Sequence, residues 1–268
     1  LSILVLLVLF ACSQKENKKE TVEKEEKKIL TMAQKAEIKT LDPQKATESV
    51  SRSIIKLINQ TLVYIDNEGN IVPELAQEIT KVSPKETLIK IKNDIKFSNG
   101  ETLTIDDVLF SLERAKASPK MSQDLYMIES FEKVDDRTLK INTLYDAGNL
   151  LHKLASGGVA IINKKAFEKD ENNIVGTGMF KLKEWVAGEK LVLERNEFFK
   201  DSKSNIDTLV VKFVPEANSR MIMLETGEID LARDLLPLDF KKISEDTKFT
   251  TVEIETPSNR FLGFDLRN

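Results

Sequence analysis

Cysteine, histidine and tryptophan each occur once in these 268 residues, and tyrosine only three times. A lone cysteine, Cys12, excludes an intramolecular disulfide and any thiolate metal cage. His152 has no cysteine or acidic cluster at metal-ligand spacing, so it reads as an ordinary helix residue, and no cofactor is implied. Nucleophilic catalysis has little to work with: a nucleophile needs an adjacent base, and no Gly-x-Ser-x-Gly elbow is present. Only a carboxylate-pair hydrolase stays open, because Asp and Glu are abundant. Charge of one sign is missing too. Forty Lys and Arg against 44 Asp and Glu leave a net charge of -4, and the Lys-rich stretches alternate with Glu, so nothing points to nucleic acid. No apolar run is long enough to cross a hydrocarbon core of about 30 Å, the first eleven residues included.

What is present begins with those eleven. Leu1 to Ala11 is almost wholly apolar and ends in Leu9-Phe10-Ala11-Cys12, with a small residue directly before the cysteine as a lipoprotein signal peptidase requires. Residues 1–12 are therefore expected to be a lipoprotein signal peptide. Cys12 is the lipidation site, and each buried methylene of its acyl chains contributes about 0.8 kcal/mol to anchoring. Residues 13–28 hold one apolar residue, Val22, among Lys, Glu and polar side chains, and read as a solvated tether. An apolar fraction of 41% supports sizeable cores beyond it.

The remaining pattern is α/β. A strand-like run over Lys28 to Ala33 leads into Leu41-Asp42-Pro43, whose Asp-Pro step favours a turn. Val50 to Leu62 places Ile54, Ile55, Leu57, Ile58 and Leu62 at helical spacing. Val72-Pro73-Glu74-Leu75-Ala76 reads as the start of a helical turn. Thr87 to Phe97 alternates as a strand and meets an Asn99-Gly100 turn, after which Thr104 caps a helix with Asp107 at its third position. A strand pair surrounds Asp135-Asp136-Arg137, and Leu150 to Leu154 and Lys164 to Lys169 are short helices flanking a strand at Val159 to Ile162. Thr177 to Trp185 and Lys190 to Arg195 form a hairpin, Asp207 to Val214 is a central strand, and Asn218 to Glu225 is a helix ending before Gly227.

These blocks, in this order, resemble the extracytoplasmic solute-binding proteins of peptide-importing ABC transporters, the oligopeptide and dipeptide-binding family, solute-binding family 5. The resemblance rests on Leu41-Asp42-Pro43, Asp66 to Gly69, Pro73-Glu74-Leu75-Ala76, Phe97-Ser98-Asn99-Gly100, Thr104 to Val108, Gly176-Thr177-Gly178, Leu193-Glu194-Arg195-Asn196 and Gly227-Glu228-Ile229-Asp230. Each is weak alone, and the series carries the assignment. Met179 stands where the family has proline, and the chain ends where the family normally enters its second lobe.

The resemblance implies a periplasmic-binding-protein-like fold of type II, α/β and two-lobed, of which mainly the first lobe with its inserted subdomain is present. Residues 29–60 with 174–268 are expected to form the core subdomain and 61–173 the insertion, the second lobe being missing. The implied function is capture of an extended peptide outside the cytoplasmic membrane and delivery to permease subunits with cytoplasmic ATPases. The implied protein is a monomer, lipid-anchored, and not an enzyme. Thr47, Glu48 and Ser49 resemble the family's ligand-facing loop, with Glu48 facing a peptide ammonium, and Arg260 and Phe261 its cleft-floor strand. A solvated loop acid is the plain alternative for Glu48, and edge-strand packing for Arg260 and Phe261. A nickel chelate, haem or a sugar as ligand, and a truncated product without ligand capture, also remain open.

Overall fold

A computed structural model describes residues 27–200 and 204–253. Cys12, nearly all of the charged tether, Arg260 and Phe261 lie outside the described residues.

Strand β1 (Ile29–Gln34) opens the fold, and helix α1 (Ser49–Ile58) follows a long loop. α1 buries Ser51, Ile54, Ile55 and Ile58, the one-sided spacing that its sequence shows. The chain then leaves for a second body. A two-stranded ribbon, β2 (Val63–Ile65) and β3 (Ile71–Pro73), precedes an antiparallel sheet of β4 (Ala76–Ser83) and β5 (Glu86–Ile91). Helix α2 (Ile105–Ala117) and strands β6 (Ile128–Lys133) and β7 (Thr138–Thr143) complete that unit, in strand order β4-β5-β7-β6. Helices α3 (Leu150–Leu154) and α4 (Lys164–Lys169) lead back. Strands β8 (Phe180–Val186), β9 (Lys190–Arg195) and β10 (Thr208–Phe213), helix α5 (Ala217–Glu225), strand β11 (Leu231–Ala232) and helix α6 (Pro237–Ser244) finish the described chain.

The larger sheet runs β11-β1-β10-β9-β8. β1 is parallel to both β10 and β11, and β9 and β8 add as antiparallel strands. Its core gathers Met32, Leu209, Val211, Phe213, Leu191 and Leu193 against Ile54 and Ile58 of α1. The second core packs Ile89, Ile91, Leu139 and Ile141 against Val108, Leu112 and Ala115 of α2. α2 starts on a full capping box, with Thr104 and Asp107 exchanging side-chain to backbone bonds, as the spacing of the two residues indicates.

Two local expectations are corrected. Residues 72–76 begin no helix: Val72 pairs with Tyr64, and the Glu74 carboxylate accepts from Thr61 N–H at 2.7 Å, which draws the segment along the ribbon and into β4. Val159 to Ile162 is not a strand, because Gly157–Val159 forms a 3-10 turn capped by Ser156.

The two bodies meet where the outgoing and returning passes touch. Gly178 N–H donates to the Ile58 carbonyl at 2.8 Å, Ser98 N–H donates to Gly176 O at 2.9 Å, and Asn196 Nδ2 donates to Gly178 O at 2.8 Å. A Cβ at Gly176 or Gly178 would overlap the carbonyl group of Ile58, so glycine is required here by proximity and not by φ. Gly178→Ala is therefore expected to cost about 3 kcal/mol or more in urea unfolding, since the obstacle is backbone. Gly188→Ala, at φ +75° with nothing within 4 Å of the added carbon, should cost only about 1 kcal/mol. Equal losses would show that the two passes separate freely.

Candidate functional site

Open α/β sheets bind ligands beyond the carboxyl ends of their parallel strands. Here three adjacent parallel strands, β11, β1 and β10, end on one edge and feed the loops 233–236, 35–48 and 214–216. Each loop leads to a helix N-terminus, at α6, α1 and α5, and none of the three N-caps, Leu236, Glu48 and Glu216, makes a side-chain cap hydrogen bond. Backbone N–H groups at such termini favour negative or polar ligand atoms. The β8–β9 turn joins the edge: Phe213 N–H donates to Glu189 O at 2.9 Å, and Glu37 accepts from Gly188 N–H at 2.9 Å and from Trp185 Nε1 at 3.3 Å.

Thr47, Glu48 and Ser49 sit at the far end of the loop from β1, with Thr47 and Ser49 exposed and Glu48 half-buried. The Glu48 carboxylate is engaged within the loop. It accepts from the Ser51 hydroxyl, from Lys39 N–H at 3.3 Å, and from Thr47 N–H and Oγ1, each at 3.3 Å. The Ser51 bond chiefly, against a smaller opposing effect of burial, brings its pKa down to about 2. Glu48 is thus an ionised loop organiser, with most of its acceptor capacity used within its own loop.

The same loop carries the arrangement that sequence reasoning missed. Asp42 is buried, and Arg114 of α2 reaches it as a fork, with Nη1 at 2.8 Å from Oδ1 and Nη2 on Oδ2. Arg114 also donates to Gln44 Oε1 and lies over the Phe167 ring, 4.3 Å from its centroid. Gln44 Nε2 donates to Gly158 O at 3.2 Å, and Ser118 Oγ to Gln44 O at 3.1 Å. Burial by itself pushes the Asp42 pKa up, but the Arg114 hydrogen bonds and charge outweigh it and leave the pKa lowered. The loop that leaves β1 is therefore bolted to the second body. Its only sequence signal is Leu-Asp-Pro itself, because the partner lies 72 positions away.

His152 is exposed on α3, and no group of three or more His, Cys, Asp or Glu that could hold a metal occurs among the described residues. No described helix is long and apolar enough to cross a membrane.

Residues 70–268 match the family described as bacterial extracellular solute-binding proteins, family 5 Middle. This chain belongs to that family. The family 5 chain is 27% identical to the oligopeptide-binding protein AppA of Bacillus subtilis, over its whole length and 53% of the relative. It is 29% identical to the probable D,D-dipeptide-binding periplasmic protein DdpA of Escherichia coli, over 90% of this chain and 50% of that one. Among solved structures it is similar to AppA in complex with a nonapeptide, at TM-score 0.73 and 25% identity, with 82% of this chain and 46% of that one covered. A nickel ABC transporter protein of Bacillus halodurans gives TM-score 0.74 at 27% identity, over the same shares. The family 5 chain thus spans about half the length of these relatives. The α/β periplasmic-binding-protein-like fold expected from the sequence is the fold found.

Arg114→Met is expected to destabilise the protein by about 3–5 kcal/mol, because it strands a buried carboxylate. The Asp42 pKa is lower folded than unfolded, so the pair's contribution is complete above the ordinary value of 3.8 and is lost as pH falls through the folded value. Unfolding of wild type and variant measured from pH 7 downward should therefore converge in acid. A constant gap across pH would overturn the pairing as its source.

Proposed function

We propose that this chain is the ligand-capturing part of an extracytoplasmic receptor of an ABC importer, that its ligands are peptides, and that it hands them to a membrane permease. The observation that carries this reading is family 5 membership across residues 70–268, joined to an edge of three parallel-strand ends whose loops lead into helix N-termini without side-chain caps. A buried peptide must have its N–H and C=O groups satisfied, and backbone groups of such loops do this without reading side chains. In this reading residues 29–60 with 174–268 are the core subdomain, residues 61–173 are the insertion, and a second lobe opposite the edge completes the cleft. Thr47, Glu48, Ser49, Arg260 and Phe261 lie toward the ligand, with Glu48 acting by holding its loop in shape. Lipid on Cys12 keeps the monomeric receptor on the extracytoplasmic face of the cell membrane, near its permease.

Two measurements test this. Calorimetric titration of the chain, and of any longer product of the same reading frame, with peptides from two to nine residues should give saturable binding. Saturation by a nickel chelate or haem with no response to peptides would replace the ligand class, and no binding by the complete product would sink capture altogether. Radiolabelled palmitate should enter the protein expressed with its leader and fail to enter Cys12→Ser. Labelling that survives the substitution would remove the anchor.

A further inference from the structure

The sequence has only three tyrosines, and the fold sets two of them against each other in solvent. Strands β6 and β7 pair Ile128 with Thr143, and Leu144 N–H donates to Met127 O at 2.9 Å, which carries the antiparallel contact one step beyond the strands. The next residues out are Tyr126 and Tyr145. Their ring centroids lie 6.2 Å apart with the planes tilted by 44°, within the range of an interacting aromatic pair. Hydrogen bonding with Tyr126 chiefly, with a smaller effect of burial, raises the Tyr145 pKa, so the hydroxyl-bearing ends of the two rings are neighbours.

Cross-strand aromatic packing accounts for the contact but not for its exposure. Tyr126 is 62% and Tyr145 41% exposed, while the chain on either side is anchored. Leu125, Met127 and Thr143 are buried, and Thr143 Oγ1 donates to Tyr145 O at 2.7 Å. Ion pairs Lys153–Asp124 and Lys81–Asp146, each at 2.6 Å, hold the segments next to the two tyrosines. Two accessible phenols are thus kept adjacent by a fixed backbone, with side-chain rotation on the picosecond to nanosecond scale left to bring the rings closer. Tyr64, 42% exposed, serves as the comparison, since it faces Val72 and has no phenol opposite.

We propose that Tyr126 and Tyr145 form a site of oxidative coupling, at which a one-electron oxidant, the ferryl haem of a peroxidase fed by hydrogen peroxide, joins the two rings as dityrosine. Each phenol gives one electron to the oxidant and its hydroxyl proton to solvent, leaving a radical shared between the oxygen and the ring carbons next to the hydroxyl-bearing one. The two radicals pair as one C–C bond between such carbons. Each coupled carbon then loses its hydrogen as a proton while its ring oxygen regains one, which restores both phenols. Two C–H bonds are replaced by one C–C bond, and the two electrons and two protons released reduce one peroxide to two waters. The link closes the β6–β7 hairpin covalently, a restraint on the unfolded chain of the kind a disulfide gives, in a sequence with one cysteine. The site belongs to the sheet of the second body and does not depend on what the chain binds.

The test treats dilute wild type, Tyr126→Phe, Tyr145→Phe and Tyr64→Phe with horseradish peroxidase and hydrogen peroxide, with N-acetyltyrosinamide coupled in parallel. Dityrosine fluorescence, intact mass and peptide mapping are read on the monomer band. Phenylalanine keeps each ring and its packing, so loss of coupling does not reflect loss of fold. A pair held in place reacts as if at very high local concentration, so the wild-type monomer is expected to give about tenfold or more the dityrosine of Tyr126→Phe or Tyr145→Phe. That product should be two hydrogens lighter, map to Tyr126 and Tyr145, form in a yield independent of protein concentration, and persist in Tyr64→Phe. Equal yield from Tyr126→Phe or Tyr145→Phe, cross-linked dimers alone, or a link mapped to Tyr64 would overturn the inference. So would an uncoupled protein beside fully coupled N-acetyltyrosinamide.

Discussion

Everything in this fold depends on one close backbone crossing. The chain leaves the larger sheet after Ile58 and returns through Gly176, Thr177 and Gly178, and the two passes lie so near that Gly178 N–H bonds directly to the Ile58 carbonyl. Two separate cores, one under α1 and one under α2, are joined there by direct main-chain bonds. The Phe97-Ser98-Asn99-Gly100 turn closes on the same junction, through Ser98 and through Phe198 stacked on Gly100.

A second fastening works on different physics. Asp42 and Arg114 join the loop after β1 to α2 through a fork of charge-assisted bonds in a mostly buried setting. A neutral contact would let that loop slide, whereas a fork fixes both distance and direction. The consequence is preorganisation: the long loop that ends in Thr47, Glu48 and Ser49 is held in shape by Arg114 on Asp42 at its middle and by the Glu48 carboxylate at its end.

Local patterns in the sequence were legible where cause and effect lie within a few residues. Thr104 and Asp107 announce the start of α2, the Asp135-Asp136 turn announces a hairpin, and the β-branched-rich stretch from Asp207 to Val214 announces a strand between two neighbours. Legibility fails where the partner is remote. Asp42 reads as a turn residue until Arg114 is placed beside it, and Arg220 reads as one more residue of the helix over Asn218 to Glu225 until the loops after β10 and β11 converge on it. Glu74 misleads in the opposite direction. Its setting in Pro-Glu-Leu-Ala resembles a first helical turn, but its carboxylate is committed to Thr61 across the ribbon. Helix α6 gave only Pro237 as a start signal and buries only Ile243, too little periodicity to read.

Trp185 is the only indole in the chain, and its Nε1 shares Glu37 with the N–H of Gly188. That places a single emitter where the loop from β1 touches the β8–β9 turn. Any event that reshapes this loop alters the hydrogen bond and the polarity around one ring, with no second tryptophan to dilute the change. The protein therefore carries a built-in optical reporter at the carboxyl-end edge of its parallel strands, readable without a label.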